Sequence, residues 1–282
     1  MNWKITGLVV VGILSLIGVG GTIYGGVKVF HSMMLSQSRT DCNSRNADTS
    51  IRGCTVMLES KYAGSAEQTF AHYRRGMAYD QKGDLDHAIA DDTEAIRLNP
   101  REYVAYNNRG LAYQHKGDLD HAIADYSKAV ELVPEMSPAR FNRADAYNQQ
   151  GNYASAVDDL THVILREPRN AVAWNNRCYF RAIAGQLDDA LADCNQSLKL
   201  EPNVPETLDS RGFTYLKMKK YDLAITDYDA AESAGGDKAP YLYGRGLAKR
   251  AKHDAAGAKE DIDASVKLDP KIVEQFRKYG VS

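Results

Sequence analysis

The chain has 282 residues, of which 44% are apolar and 26% are charged, proportions that are ordinary for a folded protein. Its 35 basic and 37 acidic residues leave a formal net charge of −2. Because no basic excess exists to neutralise a phosphate backbone, this balance disfavours nucleic acid as the main partner.

The first predicted element is an apolar segment at the N-terminus. Ile5–Val27 is a run of 23 residues without a charge. A helix of that length measures roughly 35 Å, and the hydrocarbon core of a bilayer is about 30 Å thick. A cleaved signal peptide is the alternative, since 36–38 is an acceptable cleavage motif, but its apolar region is usually shorter. We therefore predict a single-pass membrane anchor over 1–30 and a polar linker over 31–40.

Glycines inside this segment suggest a contact between membrane helices. Gly21 and Gly25 form a GxxxG motif, which lets two helices approach closely. Glycine is also common in membrane helices that do not associate. A homo-oligomer held by this helix therefore remains one of two interpretations.

A fixed 34-residue period dominates the rest of the chain. An Arg followed by a small residue recurs six times without insertion: Arg75-Gly76, Arg109-Gly110, Arg143-Ala144, Arg177-Cys178, Arg211-Gly212 and Arg245-Gly246. The six units are 69–102, 103–136, 137–170, 171–204, 205–238 and 239–272. This period predicts a helix-turn-helix solenoid. Since a single hairpin cannot bury its own apolar faces, neighbouring units must stack.

The second unit, 103–136, identifies the kind of repeat. Its positions 4, 8, 11, 20, 24, 27 and 32 are Tyr106, Gly110, Tyr113, Ala122, Tyr126, Ala129 and Pro134. This unit resembles the tetratricopeptide-repeat family, and the resemblance covers 204 of 282 residues. It implies an all-α, right-handed superhelical solenoid with helix A at positions 1–14 and helix B at positions 18–31. Gly at position 15 ends helix A and Pro at position 32 stops helix B, but Lys219 and His253 replace that Gly in the last two units.

Both ends of the array are predicted to be capped. Residues 50–60 fit positions 20–30 of a repeat, so 41–68 is interpreted as a truncated cap repeat. Beyond the sixth unit, apolar residues continue with helical spacing: Ile272, Val273, Phe276 and Tyr279. We predict a C-terminal capping helix within 271–282, because terminal repeats must cover the last apolar face.

A pair of opposite charges recurs in every unit. Position 7 is always Arg, and position 23 is always Asp: Asp91, Asp125, Asp159, Asp193, Asp227 and Asp261. The planar guanidinium suits a bidentate contact with a carboxylate. Six equal copies along the array indicate a structural role, since catalysis needs a single concave site.

Four cysteines occupy related positions. Cys178 and Cys194 are at the facing positions 8 and 24 of one unit, and Cys54 is at position 24 of the cap, twelve residues after Cys42. The even count pairs as 42–54 and 178–194, although four buried free thiols are the alternative. Disulfides would place the repeats in an oxidising compartment and the N-terminus on the other side of the membrane. The anchor and the paired cysteines resemble tetratricopeptide-repeat proteins exported to the bacterial periplasm, which implies that location.

The resemblance also implies a peptide groove. In this family, helix A lines the concave face and its positions 5, 6 and 9 reach a ligand. Transferred to this chain, they give the candidate residues Tyr73, Met77, Asn107, Asn108, Leu111, Phe141, Asn142, Asn175, Asn176, Tyr179, Phe213 and Tyr243. Asn at position 6 of three consecutive units resembles the asparagine ladder in the repeat arm of the O-linked N-acetylglucosamine transferase. Such amides offer a donor and an acceptor to a peptide backbone, or they only solvate the groove.

Function is therefore expected to be protein–protein interaction: a membrane-anchored scaffold that binds an extended segment of a partner. The sequence has no HExxH, Walker or GxSxG motif, so we expect no enzyme activity, cofactor, metal or small-molecule substrate. Two alternatives stay open. One is a structural component of an oligomeric assembly in the cell envelope, and the other is a cytosol-facing receptor or co-chaperone on an organelle or inner membrane. The identity of the partner is not encoded in any motif.

Overall fold

The computed structural model describes residues 34–236 and 238–281, and within these ranges it contains helices and no strands. The predicted membrane anchor at 1–30 lies outside the described residues. In the part of the chain that the structure describes, no helix has both the length and the apolar character needed to cross a bilayer.

The helices belong to two compact units, the first ending at Asp118 and the second beginning at Leu119. In the first unit, residues 34–42 are helical. The helices that follow in it are α1 (Ala47–Glu59), α2 (Ser65–Gln81), α3 (Leu85–Leu98) and α4 (Tyr103–His115). The second unit contains α5 (Leu119–Leu132), α6 (Ser137–Gln150), α7 (Tyr153–Arg166), α8 (Ala171–Ile183), α9 (Leu187–Leu200), α10 (Pro205–Lys217), α11 (Tyr221–Ala234), α12 (Lys238–Ala251), α13 (Ala255–Leu268) and α14 (Ile272–Lys278).

This alternation confirms the all-α helix-turn-helix repeat. The even-numbered helices from α2 to α12 are helices A of the six repeats, and the odd-numbered helices from α3 to α13 are helices B. Within each unit, a helix A packs mainly on helix B of its own repeat and on helix B of the repeat before it. The handedness of the superhelix stays a prediction.

The N-terminal cap is more helical than its sequence suggested. Helical structure begins by residue 34, inside the stretch 31–40 that we expected to be a linker. Ser38 is buried there, and the Arg39 guanidinium lies 5.0 Å from the centre of the Phe70 ring on α2. The cap is therefore a hairpin of 34–42 and α1. Helix α2 also begins at Ser65, four residues before the expected start of the first repeat at residue 69. No helix-breaking residue stands between Gly64 and residue 69.

The residue that ends helix A adopts the left-handed conformation in repeats with and without glycine. Gly151 has φ +80°, as position 15 predicted. Lys219 and His253, which replace this glycine, are held in the same region at φ +59° and +69°. The fold therefore imposes this turn even on residues with a side chain.

Small residues at positions 8 and 20 allow the two helices of a hairpin to touch. A Cβ added to Gly76 would lie 3.1 Å from the carbonyl oxygen of Ala88, and one added to Gly246 would lie 3.1 Å from that of Ala258. These distances are tighter than ordinary van der Waals contact. A larger residue at position 8 would therefore push helix A away from helix B.

The Arg–Asp pair joins the two helices of a repeat through two hydrogen bonds. Arg177 Nε and Nη2 donate to the Asp193 carboxylate at 2.8 and 2.7 Å, and both side chains are buried. The same two-fold contact is made by Arg75–Asp91, Arg143–Asp159, Arg211–Asp227 and Arg245–Asp261. The predicted structural role of the Arg–Asp pair is therefore confirmed for five repeats. The sixth pair, Arg109 and Asp125, falls on the two sides of the unit boundary.

The remaining nitrogen of each guanidinium binds helix B of the preceding repeat, which the sequence did not predict. Arg177 Nη1 donates to Thr161 Oγ1 at 3.0 Å, sixteen residues earlier in the chain. Equivalent contacts join Arg75 to Thr55, Arg109 to Thr93, Arg143 to Ser127, Arg211 to Asn195 and Arg245 to Asp229. One arginine therefore connects three helices, which links neighbouring repeats as well as the two helices of its own.

Both predicted cysteine pairs are bonded in the structure. Cys42 and Cys54 have Cα atoms 4.5 Å apart, and Cys178 and Cys194 have theirs 5.3 Å apart. The first bond closes the cap hairpin, and the second crosses from α8 to α9. Gly53 lets the cap close, because a Cβ at that position would lie within 3 Å of the backbone of Cys42.

Candidate functional site

The candidate site is the face of helices A that carries positions 5, 6 and 9, which we call the inner face. In the first unit it consists of Tyr73 and Met77 on α2 and of Asn107, Asn108 and Leu111 on α4. Met77 is an exposed large apolar side chain, and the other four are half-buried.

Two of these side chains have informative surroundings. The Tyr73 ring packs edge-on against Phe70, with centroids 5.4 Å apart. Burial, followed by the nearby carboxylate of Glu102, raises the pKa of the Tyr73 hydroxyl. Asn108 Nδ2 is buried and has no hydrogen-bond partner among the described residues. An orphaned buried donor of this kind costs about 1–3 kcal/mol unless something satisfies it.

In the second unit, the first part of the inner face is polar. Phe141 and Asn142 lie on α6, and Asn175 and Asn176 lie on α8, all half-buried. Asn175 Nδ2 donates to Asn176 Oδ1 at 3.5 Å, while Asn175 Oδ1 is buried without a partner in the described part of the chain. This amide can therefore accept one further hydrogen bond. The row formed by the three position-6 asparagines stays a prediction, because its first member belongs to the other unit.

Further along, the inner face of the second unit is aromatic and covered. Tyr179, Phe213 and Tyr243 are the predicted groove residues of repeats four to six. Phe213 is only 3% exposed and Tyr243 only 6%. The centres of the Tyr179 and Phe213 rings are 6.0 Å apart. The sequence placed these residues on the inner face but did not predict that they are covered.

The cover is the C-terminal segment of the same chain. Phe276 on α14 lies 5.7 Å from Phe213 and 4.8 Å from Tyr243, measured between ring centres. Tyr279 lies 6.0 Å from Tyr179 and 6.2 Å from Phe213. The predicted C-terminal helix therefore exists, but it reaches beyond the last repeat and contacts helices A of repeats five and four. The signal in the sequence was the spacing of Phe276 and Tyr279, one helical turn apart.

A lysine anchors the backbone of this segment. Lys217 Nζ donates to the carbonyl oxygens of Ile183 at 3.0 Å and of Tyr279 at 3.1 Å. It also lies 5.6 Å from the centre of the Phe213 ring. Burial lowers the pKa of Lys217 and, together with the neighbouring Tyr279, raises the pKa of the Tyr179 hydroxyl. Neither Lys217 nor Ile183 was among the predicted site residues.

Two histidines outside the inner face pair with carboxylates. His72 Nδ1 lies 2.8 Å from Asp91, and so joins the Arg75–Asp91 pair. His115 Nδ1 lies 2.8 Å from Asp80. Within residues 34–236 and 238–281, no group of three or more His, Cys, Asp or Glu side chains is arranged to hold a metal ion.

Sequence models of one family match three parts of the chain. Models described as tetratricopeptide repeat match residues 71–102, 103–136 and 141–205. Together these matches cover most of the first four repeats, where position 15 is always Gly and position 32 is always Pro. No curated protein matches the sequence.

Solved structures with similar folds include a tetratricopeptide repeat protein, PilF and PilW. A tetratricopeptide repeat protein from Parabacteroides merdae is 18% identical, with a TM-score of 0.69 over 88% of this chain and 98% of that one. PilF of Pseudomonas aeruginosa is 20% identical, with a TM-score of 0.61 over 76% of this chain and 98% of that one. PilW, described as a widely conserved type IV pilus biogenesis factor, is 19% identical, with a TM-score of 0.63 over 74% and 96%. At these identities the likeness concerns the fold alone.

Proposed function

We propose, on the premise that this chain belongs to the tetratricopeptide-repeat family, that it is a membrane-anchored scaffold whose inner face binds an extended segment of a partner protein. The repeats and their structural neighbours support a role in protein–protein interaction. Proteins of this fold are typically scaffolds without enzyme activity.

The observation that carries the binding proposal is the unsatisfied amide on the inner face. Asn175 Oδ1 is buried and has no partner in the described part of the chain, next to the half-buried amide of Asn176. A peptide backbone supplies N–H donors at regular intervals, so an extended segment can satisfy such an acceptor. Phe141, which is half-buried on the neighbouring helix A, offers apolar contact area of the kind that dominates binding energy.

The polar part of the inner face is the place where we expect this partner. Asn142 and Asp145 lie on α6, and Asp145 is exposed. The aromatic part beyond Tyr179 is already covered by the C-terminal segment. A partner can therefore reach α6 and the first half of α8 without displacing any part of the chain that the structure describes.

Site-specific photo-crosslinking tests this location. A benzoylphenylalanine placed at the position of Asp145, in the full chain in its native cells, should give a discrete crosslinked product. The same photo-reactive residue at the position of Leu165, which is 73% exposed on α7, is the matched control and should give none. Asn175→Ala should then lower the yield of the crosslinked product at position 145, because it removes the buried acceptor.

Two outcomes would contradict the proposal. Equal crosslinking from α6 and α7 would indicate non-specific contact with surrounding proteins. Crosslinking that is unaffected by Asn175→Ala would indicate a partner that does not use the amides of the inner face.

The membrane and periplasmic parts of the proposal are supported by two features. The charge-free run Ile5–Val27 is long enough for a membrane helix, and structural disulfides form and persist in oxidising compartments. Thiol labelling of intact cells tests both together. We expect no labelling of the four cysteines until a reductant is added, and then labelling by a membrane-impermeant maleimide. Four thiols that react without reductant with a membrane-permeant maleimide, but not with the impermeant one, would place the repeats in the cytosol instead.

A further inference from the structure

The C-terminal segment occupies its site in the manner of a ligand. Three of its apolar side chains, Ile272, Phe276 and Tyr279, face the repeats, and Ile272 and Phe276 are almost fully buried. The residues between them, Glu274, Gln275, Arg277 and Lys278, are exposed. The segment is thus a short amphipathic turn laid on an aromatic surface, which is how a groove typically holds a helical peptide.

Its contacts differ from those of a stacked repeat. A helix A packs along the whole length of the preceding hairpin, whereas α14 has only seven residues and few contacts with α12 and α13. Its remaining contacts run along the inner face, through Phe213 on α10 to Tyr179 on α8. A helix of this length is marginal by itself in water. The segment is therefore held by the surface beneath it, and that surface belongs to three different repeats.

The surface itself is built to receive a peptide backbone. Lys217 contacts the main-chain carbonyl of Tyr279, not a side chain, so any segment that presents a carbonyl at that point makes the same bond. The same ammonium group bonds the carbonyl of Ile183 at the C-terminal end of α8, which fixes its position. Specificity then comes from the pockets between Tyr179, Phe213 and Tyr243, which accept two aromatic rings one helical turn apart.

We propose that the inner face of α8, α10 and α12 is a second docking site, for a partner segment with two aromatic side chains one helical turn apart, and that residues 272–281 occupy it until such a segment displaces them. This inference deepens the proposed function and rests on it for the use of the inner face, but it concerns a separate part of that face. Displacement leaves the repeats intact, because the segment follows the last helix B and forms no part of any repeat.

Competition between the tail and an added peptide tests this proposal in the full chain. The probe is a fluorescently labelled synthetic peptide with the sequence of residues 270–282. A variant with Phe276→Ala and Tyr279→Ala lacks the two rings that hold its own tail. It should bind the peptide at least about ten-fold more tightly than the unaltered chain, because a site that its own tail occupies most of the time has a correspondingly reduced apparent affinity.

Two controls separate this outcome from a general change in the protein. Arg277→Ala with Lys278→Ala alters exposed residues of the same helix and should leave peptide affinity at the value of the unaltered chain. A peptide in which both aromatic residues are alanine should bind none of the variants. Lys217→Met, added to the Phe276→Ala and Tyr279→Ala variant, should weaken binding of the peptide because it removes the bond to the backbone carbonyl.

A second measurement uses the unaltered protein and does not depend on any variant folding well. Hydrogen exchange of the amides in 276–281 should become faster when the labelled peptide is in large excess, because the tail is then displaced. Equal peptide affinity of the unaltered and released chains, or no change in exchange at saturating peptide, would overturn the proposal. Neither result would affect the crosslinking outcome at α6, so the failure of this inference is distinguishable from failure of the proposed function.

Discussion

Arg211 and Asp227 share two hydrogen bonds of 2.7 Å each across the hairpin of the fifth repeat, and the carboxylate is buried. Removing the cation leaves a buried charge without compensation, so Arg211→Ala should lower the free energy of unfolding by about 3–5 kcal/mol. Arg211→Lys keeps the charge but loses the two-pronged guanidinium contact, so its free energy of unfolding should lie between those of the unaltered chain and Arg211→Ala. Urea unfolding measures the difference.

The control for this prediction is an exposed ion pair. Arg166 pairs with Glu135 at the surface, with 67% of its side chain exposed. Arg166→Ala should change the free energy of unfolding by about 0–1 kcal/mol. Similar losses for Arg211→Ala and Arg166→Ala would contradict a special role of the repeated pair.

The hydroxyl of Tyr228 gives a prediction of opposite sign. The side chain is fully buried, and its Oη has no hydrogen-bond partner among the described residues. Burial raises the pKa of this hydroxyl well above its usual value, so it stays neutral. Tyr228→Phe should therefore leave the free energy of unfolding unchanged or raise it by up to about 1 kcal/mol. Thermal melts of the two proteins measure the difference. Tyr228→Ala, which removes the ring, should lose about 3–5 kcal/mol.

The left-handed lysine is a second place where substitution should stabilise the protein. Lys219 has φ +59° at the end of α10, where four other repeats have glycine. That conformation strains a residue with a Cβ by roughly 1–2 kcal/mol, and glycine removes this strain. The greater conformational freedom of glycine in the unfolded chain offsets about 0.4–1 kcal/mol of that gain. Lys219→Gly should raise the free energy of unfolding by about 0.5–1 kcal/mol. Gly151→Ala, at the matched position of repeat three, should lower it, and an opposite pattern in thermal melts would refute this explanation.

The disulfide between α8 and α9 should contribute strongly to stability. It closes a loop with a sequence separation of 16 residues. Replacing both Cys178 and Cys194 by Ala should lower the free energy of unfolding by about 3 kcal/mol. Dithiothreitol should have a larger effect on the unaltered chain, because it also reduces the cap bond at Cys42, and a smaller one on this variant, in which only the cap bond remains to be reduced. An unaltered chain insensitive to reductant would contradict the prediction.

Acid should weaken two of the Arg–Asp pairs, Arg245–Asp261 and Arg75–Asp91. Burial raises the pKa of the Asp261 carboxyl, but hydrogen bonds from Arg245 and Lys249 outweigh it, so the pKa lies below its usual 3.8. Asp91 shows the same balance, with Arg75 and His72 as donors. Since the folded pKa is the lower one, this stabilisation is fully present above the unfolded pKa and is lost as the pH falls through the folded value. The free energy of unfolding should therefore decrease below about pH 4.

A single substitution separates this effect from general acid unfolding. Asp261→Asn should destabilise the protein at pH 7, and its difference from the unaltered chain should shrink at pH 3. Asp263→Asn, on the exposed side of α13, should show no such change. A constant difference across this range would mean that Asp261 does not titrate as described.

The period of the sequence was sufficient to predict contacts that recur within a repeat. Arg177 with Asp193, and Cys178 with Cys194, are each sixteen residues apart. Helices A and B of one hairpin are antiparallel, so residues that lie symmetrically about the turn face each other.

Contacts that occur once in the chain were not predicted. Phe213 and Tyr243 were expected to be open, because their repeat positions place them on the inner face. Phe276 and Tyr279 cover them from outside the periodic part of the sequence, and no spacing rule relates the two pairs. The helical segment 34–42 was missed for a similar reason, since its burial depends on α1 and α2, not on its own polar composition.

Five of the six repeated arginines reach a residue sixteen places earlier, and this spacing also determines how the array can change in length. Deleting residues 171–204 would remove one whole repeat and would offer Arg211 the hydroxyl of Thr161 in place of the Asn195 amide. The hydrogen bond between neighbouring repeats would form again, with the Thr161 hydroxyl as acceptor instead of the Asn195 amide oxygen. A deletion of any other length would leave the guanidinium opposite an unrelated side chain, so arrays of this type can grow or shorten only in whole steps of 34 residues.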